Sequence, residues 1–434
     1  MIHSVEVFLW GTRVGVASFD EYSSAANFEY DKEFIRSGIE LSPIYMPLST
    51  QVYSFPALNK ESFKGLPGML ADSLPDKFGD AVIDAWLTSK GRSLDSFTPI
   101  ERLCYMGKRG MGALEYVPSL GPDVSKDNSI DIDSMVTLAS DVLSKRKELH
   151  LDEKDVNVAN LLQFGTSAGG ARAKAIVTIN EKTGEIYSGQ INDKEDYSYW
   201  ILKFDDVVNN GDHNESDSKG FTRVEYAYYL LATNAGIQMN ECRIIEDHGK
   251  YHFLAKRFDR EEKTGRKIHM QTLGAIAHLD FNTPRCCSYE IVSKICVRIG
   301  LQASEILELY RRMVFNVLAI NCDDHVKNTA FLMDRTGKWR LSPAYDICFS
   351  YKPDSIWVSE HQMTVNGKSK NIKKEDLIQC GKAMNIKESV ANKIIQDVIS
   401  SIKRWDEFAK IANVKEEHIK SIGFLLKEKI AEFE

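Results

Sequence analysis

At 434 residues, with a net charge of -7 and 27% charged residues, the chain is long enough for two or three domains and has the balance of an ordinary soluble protein. It holds no long basic block, which argues against a stand-alone nucleic-acid binder, and no run near the ~18 consecutive apolar residues of a membrane span. Eight cysteines without a CxxC pair read as reduced thiols of a cytosolic protein, and the opening MIHSVEVFLWGTR lacks the features of a signal peptide.

Residues 2 to 19 alternate apolar and polar about Trp10-Gly11-Thr12, which predicts a hairpin. Residues 20 to 60 carry Pro43, Pro47, Pro56 and patches such as Ile44-Tyr45-Met46, and predict a small irregular β module. Between 65 and 88, Phe78, Ala81, Val82, Ala85 and Trp86 recur at helical spacing. Glycines cluster at 107 to 112, and the first module is expected to end near residue 120. The polar stretch 121 to 150 reads as a linker with a helix over Ile132 to Arg146.

Small residues then fill Gly165-Thr166-Ser167-Ala168-Gly169-Gly170-Ala171, followed by Arg172, Lys174 and a predicted strand, Ala175 to Ile179. Such a run lets backbone N–H groups cradle an anion, although it matches neither a Walker A loop nor G-x-G-x-x-G, and a flexible turn between strands fits it equally. Tyr199 to Phe204 reads as a strand with one embedded lysine, Lys203, facing either water or a phosphate. Thr222 with Glu225 fits a capping box for a helix ending at Gly236; the same Glu225 could instead pair with Lys203. Residues 242 to 259 predict two strands about Asp247-His248-Gly249-Lys250, leading into Lys256-Arg257-Phe258-Asp259-Arg260. That stretch is either a crossing between lobes or a surface charge cluster.

From 268 onward the pattern is mostly helical: Ser288 to Ile299, a long apolar helix from Ala303 to Cys322, and stretches at 374–384, 387–412 and 415–433. The long helix ends in Asp323, Asp324, His325, Lys327 and Asn328. A predicted hairpin, Ala330–Met333 and Trp339–Leu341 about Asp334-Arg335-Thr336-Gly337, leads to Ser342-Pro343-Ala344-Tyr345 and Asp346. A kinase site needs a carboxylate near the substrate hydroxyl, and an amide oxygen and a second carboxylate for Mg²⁺. Asp323 and Asn328 stand five apart, as the catalytic-loop acid and Asn of protein kinases do, and Asp346 follows the hairpin as their metal-binding Asp does.

With these pieces in order, the chain resembles the HipA family of bacterial toxin kinases along essentially its whole length. The resemblance rests on Leu74-Pro75-Asp76, the Ser167–Lys174 loop, Ile201-Leu202-Lys203, Arg257-Phe258-Asp259-Arg260, and above all Asp323-Asp324-His325-Val326-Lys327-Asn328 followed by Leu341 to Asp346. It implies an α+β, two-lobed protein-kinase-like fold, with a mainly helical, phosphoinositide-3-kinase-like lower lobe and an extra N-terminal β-rich module. The domains expected are a module over 1–120, a kinase N-lobe over 121–258 and a helical C-lobe over 259–434.

The resemblance also implies roles. Asp323 is the catalytic base, supported by His325 and Lys327, and Asn328 and Asp346 hold Mg²⁺. ATP is bound by Ser167, Ala168, Gly169, Gly170, Ala171, Arg172, Lys174 and Lys203, with Lys256, Phe258 and Asp259 at the adenine hinge. Ser167 matches the autophosphorylated loop serine whose modification ejects the loop and switches the kinase off. The loop departs from the family's best-known version at Gly169, Arg172 and Ala173. Further implications are ATP and Mg²⁺ as cofactors, a protein substrate such as an aminoacyl-tRNA synthetase, and a separate helix-turn-helix antitoxin (HipB-like) through which alone the chain meets DNA. A cytoplasmic location without membrane contact also follows. Two other readings remain: a non-catalytic co-repressor partner of the antitoxin, and a small-molecule phosphotransferase.

Overall fold

The structure is a computed structural model that describes residues 2–75, 77–89, 91–93, 96–120, 131–145, 173–189, 196–205, 207 and 220–434. The predicted loop positions Ser167, Ala168, Gly169, Gly170, Ala171 and Arg172, and Asp76, lie outside the described residues. The chain divides into two compact units. The first comprises Met1–Lys219, Ile245–Gln271 and Met333–Gly337; the second comprises Gly220–Ile244, Thr272–Leu332 and Lys338–Glu434.

The first unit opens on β1 (Ser4–Leu9) and β2 (Thr12–Asp20), paired antiparallel as the alternation predicts. Their turn places Trp10 and Gly11 at φ 50° and 84°, the pair of positive angles a tight two-residue hairpin requires. Strands β3 (Ala25–Tyr30), β4 (Tyr53–Ser54) and β5 (Leu114–Val117) complete a sheet of order β4-β3-β2-β1-β5. Val5, Val7 and Leu9 point from β1 into the core, where the helix Pro99–Met106 packs on the sheet. That helix starts with a capping box, Thr98 and Glu101, and with Pro99 in its first turn, where a missing N–H costs nothing. The helical spacing over 65 to 88 becomes the helix Lys77–Ser89, and the connecting helix runs over Ile132–Lys145.

A second sheet in this unit has the order β7-β6-β8-β10-β9. Its strands are β6 (Lys174–Asn180), β7 (Ile186–Ser188), β8 (Tyr197–Lys203), β9 (Cys242–Asp247) and β10 (Lys250–Lys256), with β9 entering the unit at Ile245. The turn between β9 and β10 repeats the first hairpin's device, with His248 at φ 47° and Gly249 at φ 77°.

Residues 257–271 bind this sheet to the N-terminal one. Trp10 Nε1 donates to the Lys267 carbonyl (2.9 Å), Lys267 Nζ reaches Glu115 (2.9 Å), and Gln271 Nε2 donates to the Leu41 carbonyl (2.5 Å). Arg257, Asp259 and Arg260 are not a surface charge cluster: all three are buried. Asp259 accepts from Arg257 at both carboxylate oxygens (2.9 and 2.8 Å), from Arg260 (2.9 Å) and from the Gly112 backbone N–H (2.8 Å). Burial alone would push the Asp259 carboxyl up; the two guanidinium groups overcome this and hold it well below the usual carboxylate range.

His269 is fully buried beside Gln271, whose amide nitrogen lies 2.9 Å from its Nε2. That amide nitrogen also donates to Leu41, so the ring accepts at Nε2 and is neutral. Burial pushes its pKa from 6.5 down to about 3. The folded value is below the unfolded one, so this stabilisation is complete above pH 6.5 and is lost as pH falls toward 3. Between pH 6.5 and 4.5 the loss is about 2 kcal/mol. Urea unfolding should show a lower midpoint at pH 4.5 than at pH 7, and His269→Gln should remove most of the difference. Equal wild-type midpoints would contradict this.

The second unit is mainly helical. Phe221–Asn234, Ala303–Leu318, Lys374–Ala383, Glu388–Ile402, Trp405–Ile411 and Glu416–Ala431 pack about a core that includes Tyr228, Tyr310, Phe315 and Trp405. The helix Tyr289–Arg298 joins them, capped by Ser288 and ended at Gly300 (φ 85°), as expected. Three expectations change. Gly220 at φ 88° is the N-cap of the first of these helices, so Thr222 and Glu225 lie buried inside it and form no capping box. The long helix stops at Leu318 rather than Cys322, because Ile320 turns to φ 53°. The stretch 387–412 breaks at Lys403-Arg404, which lets Trp405 bury its ring against Tyr228 and donate Nε1 to the Ile419 carbonyl (2.9 Å). Among the described residues no helix is long and apolar enough to cross a membrane.

Candidate active site

The early end of the long helix starts the site. Tyr228 donates its hydroxyl to the Ala319 carbonyl (2.7 Å), and the chain then reverses at Ile320. Residues 320–322 run alongside Ser350, with Cys322 N–H donating to its carbonyl (3.0 Å) and Ser350 N–H to the Ile320 carbonyl (3.1 Å). The loop that follows is cross-braced by its own side chains. Asn328 Nδ2 donates to the Asp323 carbonyl (2.8 Å), and the Lys327 N–H donates to His325 Nδ1 (3.2 Å). His325 Nε2 lies 3.7 Å from Asp323 Oδ1. The Asp323 side chain stays 45% exposed, while Asp324 beside it is buried.

Asp324 had no role in the sequence reading, and the structure makes it the anchor of the loop. It accepts from Tyr289 Oη (2.9 Å) and the Gln362 N–H (2.7 Å), and it lies 3.2 Å from His361 Nδ1. Tyr289 in turn accepts from Asn316, and Asn316 from Asn321, both at 3.0 Å. These partners stand up to 38 positions apart in the chain, and no local pattern marks them. The only sequence hint was an acid beside a second acid on the end of an apolar run.

The hairpin Ala330–Met333 and Trp339–Leu341 forms as predicted and returns the chain to Asp346. Arg312 Nη2 donates to the Ser342 carbonyl (2.8 Å), and Tyr345 Oη donates to the Lys327 carbonyl (2.6 Å), which ties the two motifs together. Asp346 holds φ 56°, a left-handed angle that costs a non-glycine residue about 1 kcal/mol and occurs preferentially where position matters. His325, Asn328 and Asp346 line one pocket with Asp324 and Asn321. With Nδ2 committed to Asp323, Asn328 has its amide oxygen to offer a cation, and Asp346 a carboxylate. Hard oxygen donors of this kind suit Mg²⁺, which takes one or two protein ligands and completes its shell with water and phosphate.

Of the other predicted residues, Lys174, Lys203, Lys256, Phe258 and Asp259 belong to the first unit and Glu225 to the second. Lys174 on β6 stands directly opposite Lys203 on β8, which stands opposite Phe253 on β10, so the three share one face of the sheet. Both lysines are buried, and Lys203 Nζ lies 5.7 Å from the Phe253 ring centre. Lys256 pairs its side chain with Glu262 (2.5 Å), and Phe258 is half-buried. Asp259, expected at the nucleotide, has its carboxylate enclosed by Arg257, Arg260 and Gly112, so it touches no ligand through that group. Glu225 is buried in the second unit's first helix.

The family profile described as the HipA-like C-terminal domain matches residues 166–405, and that of the HipA N-terminal domain matches residues 5–117. The chain belongs to the HipA family of toxin kinases. Among solved structures, this HipA chain is similar to the Shewanella oneidensis MR-1 HipA of a toxin–antitoxin complex with HipB and operator DNA. The TM-score is 0.65 at 17% identity, over 99% of this chain and 96% of that one, which is a likeness of fold. The Helicobacter pylori proinflammatory kinase CtkA matches 54% of this chain and 88% of its own, at 12% identity and a TM-score of 0.34. No curated protein matches the chain. Family and fold support kinase-like chemistry and a mixed α+β architecture with an N-terminal β-rich region and a helical part.

Proposed function

We propose that this HipA-family chain is a toxin serine/threonine kinase that transfers the γ-phosphate of ATP to a protein hydroxyl, with a phosphoinositide-3-kinase-like lower lobe. The observation that carries the reading is the meeting of Asn328 and Asp346 on one pocket, beside a braced loop in which the Asp323 side chain is 45% exposed. Asp323 orients the substrate hydroxyl and takes its proton, with His325 at its side. Lys327 faces the charge of the phosphoryl group in transfer. Ser167–Arg172, Lys174 and Lys203 bind the nucleotide phosphates, and the backbone at Lys256 and Phe258 meets adenine. Bound Mg²⁺, held by Asn328 and Asp346, would neutralise the triphosphate. The protein supplies positioning and charge, which is most of what phosphoryl transfer asks.

Self-phosphorylation at Ser167 would add about -1.5 to -2 charge where ATP phosphates belong and switch the kinase off. The antitoxin is a separate DNA-binding protein of the HipB type, as in the Shewanella complex. The substrate is an aminoacyl-tRNA synthetase. The eight free cysteines agree with a reducing cytoplasm. The test is thermal unfolding with and without Mg-ATP. Wild type should be stabilised by about 2–3 kcal/mol at a hundredfold excess over Kd, and Asp346→Asn should lose most of that. No shift in wild type would favour a non-catalytic co-repressor.

A further inference from the structure

Lys327 carries a charge the proposed chemistry needs, and the structure holds it in an unusual way. Its Nζ sits 4.2 Å from the centre of the Phe281 ring. Among the described residues Lys327 makes no ion pair. A carboxylate at that place would fix the ammonium but cancel its charge; an aromatic face attracts it and leaves the charge to act on a third group.

Phe281 is itself held. The Asn282 N–H and Thr283 Oγ1 both donate to the Asp280 carboxylate (2.9 Å each), which fixes the turn that presents the ring. The segment leading to it runs against the Asp323–Asn328 loop, with Leu273 N–H donating to the Thr329 carbonyl (2.8 Å) and Gly274 N–H to the Val326 carbonyl (3.0 Å). The Phe281 ring centre is also 6.4 Å from that of His325. Meanwhile Tyr345 pins the Lys327 backbone. Backbone and ammonium are therefore fixed from opposite ends.

We propose that Phe281 is a positioning residue for phosphoryl transfer, holding the Lys327 ammonium in place through its ring face without neutralising it. The role rests on the reading of this site as a kinase centre. Three full-length variants test it: Phe281→Leu, Phe281→Tyr, and the chain with stepwise-fluorinated phenylalanine at 281. Phe281→Leu should lower kcat about tenfold with the KM for ATP changed less than about twofold. Phe281→Tyr should stay within about threefold of wild type, because it keeps the ring face. The fluorinated rings keep the shape and withdraw the negative face, so kcat should fall with each added fluorine. A flat fluorine series would overturn the proposal, whatever Phe281→Leu does to folding. If the wild-type chain transfers no phosphate from ATP, the kinase reading itself falls; if wild type transfers phosphate while the fluorine series is flat, only the role of Phe281 falls.

Discussion

Asp323→Asn is expected to lower phosphate transfer from radiolabelled ATP by about 10²–10⁴-fold, the range a positioned general base supplies. The fold should survive, because Asn328 braces the loop through the Asp323 backbone carbonyl, which the substitution leaves in place. The side chain is 45% exposed, so an isosteric amide meets no steric conflict there. Nucleotide binding should survive as well, since Asn328, Asp346, Lys203 and Lys174 are untouched. Transfer by Asp323→Asn at the wild-type rate would remove Asp323 from its role.

The second large effect is on stability. Asp259→Ala should destabilise the chain by about 3–5 kcal/mol, because it leaves two guanidinium groups buried without their anion. Arg257 and Arg260 are 4% and 7% exposed, so neither can turn to water without opening the core. The loss should appear as a lower denaturant midpoint. Replacing all three residues by apolar ones of similar volume should restore part of it, since the cost lies in the orphaned charges. A midpoint for Asp259→Ala within experimental error of wild type would contradict this account. The pH dependence has the matching sign: the Asp259 carboxyl is held below its ordinary value, so its contribution is present above pH 3.8 and is lost as pH falls below it.

These two residues show what local sequence can carry. The roles read for Asp323, Asn328 and Asp346 rest on spacing along a loop and a hairpin, both set by nearby turns; the hairpin, and a pocket shared by Asn328 and Asp346, appear in the structure. The turns at Trp10-Gly11 and His248-Gly249 were equally local, since positive φ at two successive residues selects their chemistry. The enclosure of Asp259 is not legible locally, because an Arg-Phe-Asp-Arg run fits a crossing between lobes or a surface charge cluster until partners more than a hundred residues away, here Gly112, surround it. Asp324 and Phe281 stayed hidden for the same reason: Asp324 is defined by Tyr289 and His361, and Phe281 by Lys327. The helix end at Leu318 and the break before Trp405 were set by tertiary demand, against a helical pattern that ran on through both.

The most direct test of the kinase reading is phosphoproteomics after brief induction of the wild-type chain against Asp323→Asn in the same cells. The account predicts serine or threonine phosphosites that appear with wild type alone, on a translation enzyme and on Ser167 of the chain itself. Indistinguishable phosphoproteomes, with both chains equally expressed, would contradict it.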